Sequence, residues 1–222
     1  IFTPTANGAC TIDVAANTFT DAANNDNTAA TQFNWTQDTV EPSMVITSTT
    51  AGVTDGSTTK NTSIALTFTA SEATTTFVAG DIIVTNGTIS SFTAASSIVY
   101  NATFTPLNAG DCTIDVPVGT FTDAAGNNNT AATTFNWEFD NIKPTMTITS
   151  TTAGIISGST TNNLNINLTF TASKPTTNFA TGDITVSNGS ISNFAALSST
   201  VYTAIFTPTA NGACTIDVAA NT

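Results

Sequence analysis

The stretch FTPTANGACTID, residues 2–13, returns as FTPLNAGDCTID at 104–115 and unchanged at 206–217. Each return falls 102 residues after the last, and other landmarks keep the same step: Phe33 and Trp35 recur as Phe135 and Trp137, Met44 as Met146, Gly80 and Asp81 as Gly182 and Asp183. Self-similarity at a fixed step marks a repeat architecture. Solenoid rungs run to about 50 residues and stack on their neighbours. A step near 100 instead lets each copy close a core of its own, so the chain reads as a row of separate domains.

Between the repeated stretches, apolar residues alternate with polar ones in seven runs per copy. They are marked by Met44 and Ile46; Ile64, Leu66 and Phe68; Ile82 and Val84; Ile89 and Phe92; Tyr100, Ala102 and Phe104; Cys112, Ile114 and Val116; and Thr133, Phe135 and Trp137. Thr67, Asn101, Thr113 and Asn136 fall on the opposite faces, as strands with one face in a core require. Turn signals at Asp55-Gly56, Asn86-Gly87 and Asn108 to Gly110 separate the runs. Seven short strands in about 100 residues fit an all-β, two-sheet sandwich. An acid and a proline follow each last strand, at residues 38–42 and 140–144, and read as short stiff connectors because proline fixes φ and lacks a ladder donor. The boundaries expected are therefore 1–38 for the end of one copy, 39–140 for a complete copy and 141–222 for most of a third.

Composition points the same way. Threonine supplies 51 of the 222 residues, charged residues only 8%, and the cations are three lysines, Lys60, Lys143 and Lys174, with no arginine or histidine. Fourteen phenylalanines and 40% hydrophobic residues are enough for real cores, so low charge does not mean disorder; branched and aromatic side chains favour strands. A net charge of -12 leaves nothing to neutralise phosphates, which excludes nucleic acid as a partner, and it repels anionic membranes. No apolar run approaches the roughly 18 residues of a membrane span, so direct membrane insertion is not expected. The sequence starts at Ile1 inside a strand pattern, and residues 1–18 are identical to 205–222, as expected of a window cut from a longer array. Without histidine or arginine, neither a Ser/His/Asp arrangement nor a histidine metal site can be assembled, and a sandwich this small offers no large cleft. The chain does not read as an enzyme.

Phe104-Thr-Pro106, Asp115-Val116, the run FTDAAGN at 121–127, Asp140 and Pro144 resemble the bacterial Ig-like tandem repeats of large extracellular adhesins and filament proteins. The resemblance covers the whole chain. It implies seven-stranded immunoglobulin-like β-sandwiches and, since such modules mostly act as spacers, an extracellular or cell-surface stalk or filament built as beads on a string. Its partners would be the neighbouring repeats and, in a filament, other copies in lateral contact. A carbohydrate- or surface-binding adhesin module is the alternative, and a flat threonine array for ice is a remoter one, because a 102-residue step supplies no solenoid face. Two features depart from antibody-type domains. Leu66 and Phe68 stand where Cys112 would need a disulfide partner, and Gly110 stands where a tyrosine corner would be.

Cys10, Cys112 and Cys214 come one per copy, too far apart to pair within the chain, and each shares a face with isoleucine or valine, so buried inert thiols are expected. Comparison of copies sorts the acids. Glu41 becomes Lys143, Glu72 becomes Lys174, and Asp55 becomes Ser157, which reads as interchangeable solvated surface; Asp38/Asp140, Asp81/Asp183, Asp21/Asp123 and Asp13/Asp115/Asp217 persist. In a sandwich of this topology Asp81 and Asp123 would approach Asp38 in the connector, and carboxylates with amide and backbone oxygens around Asn127 would suit Ca²⁺, which takes six to eight oxygens. The residues expected around such interdomain ions are Asp38, Asp81, Asp123, Asp140 and Asp183. The bland alternative is that these acids accept turn hydrogen bonds. Among the Asn-x-Ser/Thr sequons, Asn61, Asn101, Asn128 and Asn167 are the candidate glycosylation sites.

Overall fold

The alternating runs do form strands, and their inward residues form the cores. The computed structural model describes residues 1–220, which fall into two compact units, the first Ile1–Asn141 and the second beginning at Ile142. The first unit opens with an antiparallel pair, β1 (Gly8–Ile12) and β2 (Phe33–Gln37), with Cys10 opposite Trp35. The complete copy follows with β3 (Met44–Ser48), β4 (Ser57–Thr59), β5 (Ile64–Ala70), β6 (Ile83–Thr85), β7 (Gly87–Ala94), β8 (Val99–Pro106), β9 (Gly110–Asp115) and β10 (Phe135–Phe139).

These strands make two four-stranded sheets, in the orders β3-β5-β8-β7 and β4-β10-β9-β6. All neighbours are antiparallel except β4, which runs parallel to β10. β3 and β4 are one edge strand divided between the sheets, so the architecture is the expected seven-stranded Ig-like sandwich with its first strand split. β4 has the sequence Ser-Thr-Thr and carries no apolar alternation to reveal it.

Phe68, Leu66 and Phe104 from one sheet and Cys112, Ile114 and Trp137 from the other are all at most 2% exposed and belong to one core. Full burial of such side chains is worth about 1.5–3 kcal/mol each. Phe104 meets Trp137 edge to face at 4.7 Å. The same ring lies over Gly87, where a Cβ would come within 2.0 Å of it, so only glycine fits the start of β7. A bulge between Ser90 and Thr93, with Ser91 at φ 52, lets Ile89 and Phe92 both face the core despite their odd spacing.

The second unit repeats this plan with β11 (Met146–Ser150), β12 (Ile166–Ala172), β13 (Ile184–Ser187), β14 (Gly189–Ala196), β15 (Val201–Pro208) and β16 (Thr215–Val218). Its sheets are β11-β12-β15-β14 and β13-β16. Registers are preserved: Ile166 opposes Phe206 and Phe170 opposes Tyr202, as Ile64 opposes Phe104 and Phe68 opposes Tyr100. The bulge recurs with Asn193 at φ 50, and so does the Gly189 to Phe206 approach. All three cysteines are free; Cys112 is buried, Cys10 half-buried and Cys214 exposed. No helix is long and apolar enough to cross a membrane among the described residues.

Candidate functional site

Two of the persistent acids, Asp38 and Asp123, come together at the connector end of the complete copy. The segment from β9 to β10 folds on itself around two side chains. Asp123 Oδ1 accepts the amides of Ala125 and Asn127, both at 2.9 Å, while Oδ2 accepts Asn127 Nδ2 at 2.9 Å. Asn129, fully buried, accepts the amides of Thr120 and Phe121 on Oδ1 and donates Nδ2 to Pro117 O and Thr130 O. The Asn127 side chain is the main cause holding the Asp123 carboxyl below the usual range, with backbone N–H donors adding to it against the opposing effect of burial.

This loop grips the connector. Asn127 Nδ2 donates to Asp38 O at 3.3 Å and the Thr130 amide to Pro42 O at 2.9 Å. From the preceding copy, Asn7 Oδ1 accepts both the amide and the hydroxyl of Thr39, at 3.1 and 2.9 Å. Asp38 Oδ1 caps its own turn by accepting the Val40 amide at 3.0 Å. Residues 38–42 are therefore held from both sides.

Asp38, Glu72 and Asp123 bring one carboxylate oxygen each within 4.8 Å of one another. Glu72 stands just past β5, and its carboxyl is pushed up first by desolvation and then by the charges of Asp38 and Asp123. Among the described residues, these three form a group that could hold a hard divalent cation, with carbonyl or water oxygens completing the shell.

The other expected ligands lie elsewhere. Asp81 Oδ2 accepts the Val78 amide at 2.8 Å, closing the single 3₁₀ turn Ala79–Asp81, and Asp183 does the same with Ala180 at 2.8 Å. Asp140 donates its backbone amide to Thr59 O at 2.9 Å. Glu72 is the cluster member the sequence reading set aside. Its replacement by Lys174 in the next copy looks like indifference, yet a charge reversal is also what a position inside an acid cluster would record. Asp55 was set aside with it, but its Oδ1 accepts the Asn136 amide at 2.8 Å and ties the split edge strand to β10.

Of the candidate glycosylation sites, Asn101 on β8, Asn128 in the loop and Asn167 on β12 are exposed, while Asn61 is half-buried. Tyr100 and Tyr202 are 3% and 4% exposed, and Tyr100 donates its hydroxyl to Thr74 O at 2.6 Å. Neither tyrosine offers a sugar-stacking face.

The family model of a bacterial Ig-like domain matches residues 38–139 and 140–222. No curated protein matches the chain. Among solved structures the chain is similar to the Escherichia coli adhesin FdeC, at 14% identity and TM-score 0.39, over 96% of this chain and 80% of that one. It is also similar to invasin, a bacterial integrin-binding protein, at 17% identity and TM-score 0.39, over 96% and 43%. A third likeness is to the surface layer protein SbsC, domains 4–9, at 16% identity and TM-score 0.27, over 97% and 34%. Likenesses this loose extend neither the fold nor the function.

Proposed function

Because the chain belongs to the bacterial Ig-like domain family, we propose that it is an extracellular structural repeat whose work is to set distance, its copies joined end to end as a stalk or filament at a cell surface. The observation that carries this reading is the connector. Thr39 is bonded to Asn7 of the copy before it, while Asp38 and Pro42 are bonded to Asn127 and Thr130 of the copy after it. A spacer gains reach from copy number only if its joints resist bending, and five residues pinned at both ends are a short, stiff joint. The polar outer faces, with Thr67 bonded to Asn101 across β5 and β8, suit a surface kept soluble by hydroxyls and amides. The neighbouring repeats are its constant partners, and catalysis has no part in this role.

Electron microscopy and small-angle scattering test it. Isolated chains should be straight threads, and Asn7→Ala with Asn127→Ala should increase bending without unfolding the domains. Threads already freely jointed in the unmodified chain would sink the proposal. Ordered lateral bundles would favour a filament subunit over a lone stalk, and retention on immobilised glycans would favour the adhesin alternative.

The cluster extends the reading. A Ca²⁺ ion held by Asp38, Glu72 and Asp123 would cross-link the connector to two loops of the following domain and offset repulsion in a chain of net charge -12. Trp137 is buried in the complete copy, so in a Trp35→Phe background its fluorescence reports that domain. Calcium should raise its melting temperature, and Glu72→Gln with Asp38→Asn should abolish the rise. A melt indifferent to calcium and chelator removes the ion.

A further inference from the structure

Four Asn-Gly dipeptides occur in the chain, Asn7-Gly8, Asn86-Gly87, Asn188-Gly189 and Asn211-Gly212, and the fold treats them in two opposite ways. Asn86 donates Nδ2 to Asn108 O at 2.7 Å and accepts the Asn108 amide on Oδ1 at 3.1 Å. Asn188 donates Nδ2 to Ala210 O at 2.9 Å and accepts Thr209 Oγ1 at 3.2 Å. Both residues have left-handed φ, 56 and 53. The glycine after each lies against a buried phenylalanine ring, Phe104 or Phe206, which blocks the rotation that would swing its nitrogen toward the side chain.

Asn7 and Asn211 are exposed. Their Nδ2 atoms donate to nothing among the described residues. A Cβ at Gly8 would meet nothing within 4 Å, and one at Gly212 only Asn188 Nδ2 at 3.5 Å, so no packed ring stands over either glycine; Gly8 is the first residue of β1, opposite Gln37, and fraying of that strand end frees its nitrogen to turn. Asn7 has one thing more. The Thr39 amide and hydroxyl both donate to its Oδ1, at 3.1 and 2.9 Å, which places two donors where negative charge grows when the amide carbon is attacked.

We propose that Asn7 is a self-modifying site, at which Thr39 promotes conversion of the asparagine to aspartate and isoaspartate. The Gly8 backbone nitrogen attacks Asn7 Cγ and forms the N–Cγ bond. The Cγ–Nδ2 bond breaks, and Nδ2 leaves as ammonia carrying the proton given up by Gly8. Water then opens the cyclic imide at either carbonyl, giving the aspartyl or the isoaspartyl chain. Asn211 undergoes the same reaction without the Thr39 donors, and Asn86 and Asn188 are protected. The complete copy has Ala109 before Gly110 at this position and is inert there. Conversion puts a carboxylate beside the connector that carries Asp38, or lengthens the main chain within the clamp, so the joint at residues 38–42 loosens with age.

The test is incubation of the full chain at mildly alkaline pH, with peptide mapping and isoaspartyl methyltransferase labelling over time. Residue 7 should convert fastest and residue 211 next. Residues 86 and 188 should be at least about tenfold slower, since two hydrogen bonds must break before attack. Thr39→Val should slow residue 7 toward the rate of residue 211 and leave the other three sites unchanged. In denaturing urea all four should converge. Stability of Asn7 in the folded chain, indifference of its rate to Thr39→Val, or equally fast conversion at Asn86 each overturns the proposal.

Discussion

The segment between β1 and β2 and the segment between β9 and β10 are the same loop in two surroundings. Asp21 accepts the amides of Ala23 and Asn25 and the side chain of Asn25, bond for bond as Asp123 does with Ala125 and Asn127. Asn27 accepts the amides of Thr18 and Phe19 and donates to Ala15 O and Thr28 O, as Asn129 does one period later. Yet Phe19 is 61% exposed and Phe121 only 2%. The loop keeps its shape whether or not a core lies beneath it, so its form is written locally, by an aspartate and an asparagine that satisfy its backbone. This explains why Asp21/Asp123 persists without invoking an ion. What burial adds is energetic weight, because water can replace the bonds of Asn27 and cannot replace those of Asn129.

That contrast predicts unequal costs for identical changes. Asn129→Ala strands buried donors and acceptors that each cost about 1–3 kcal/mol when unpaired, so the complete copy should lose about 3 kcal/mol or more. Asn27→Ala should leave that copy unchanged. Urea unfolding followed by Trp137 fluorescence in a Trp35→Phe background measures both; equal effects would mean the loop contributes through something other than its buried bonds.

A smaller difference separates the left-handed positions. Gly119 and Gly126 have φ 74 and 92, and Asn17 and Asn24 occupy the matching sites at φ 61 and 65. Asparagine tolerates this region and alanine does not, at a cost of roughly 1–2 kcal/mol. Gly126→Ala should therefore destabilise the complete copy by about that much, and Gly126→Asn by clearly less. Similar losses for the two would show that space, not φ, decides the residue.

How far the sequence could be read follows from the same distinction between local and assembled features. The strands were legible because Ile64, Leu66 and Phe68, like Cys112 and Ile114, alternate on one face. The split edge strand was not, since Ser57 to Thr59 carry no such pattern, and the spacing of Ile89 and Phe92 makes sense only with the bulge at Ser91. At the junction, topology led the reading to Asp38 and Asp123, and the carboxylates of Asp38, Glu72 and Asp123 lie within 4.8 Å of one another. Asp81 could not be separated from them by spacing, because its commitment to the Val78 amide depends on a turn formed only in the folded chain. Glu72 and Asp55 were passed over because substitution between copies was read as indifference, although each makes its contact with a residue far away in sequence.

The gentlest perturbation acts on Glu72, and its sign is fixed by its neighbours. Desolvation and the charges of Asp38 and Asp123 raise the Glu72 carboxyl above its ordinary value. Its favourable contribution is therefore present while it is protonated, below the unfolded value near 4.5, and is lost as pH rises through the higher folded value. Glu72→Gln removes that loss, so the melting temperature should rise at neutral pH in the absence of calcium, with the gain fading below about pH 4, where the native side chain is neutral as well. Asp123 works in the opposite sense. Its carboxyl is held below its ordinary value of 3.8, so its contribution is present above that value and disappears as pH falls through the lower folded one. Acid unfolding of the Glu72→Gln chain should thus keep the limb due to Asp123 while losing the neutral-pH penalty. Glu72→Lys, which imports the residue the next copy carries as Lys174, should raise the neutral-pH melt further by facing both acids with a cation, and this extra gain should shrink in high salt. If Glu72→Gln lowers the melting temperature without calcium, Glu72 is stabilising as a carboxylate and repulsion does not govern the cluster.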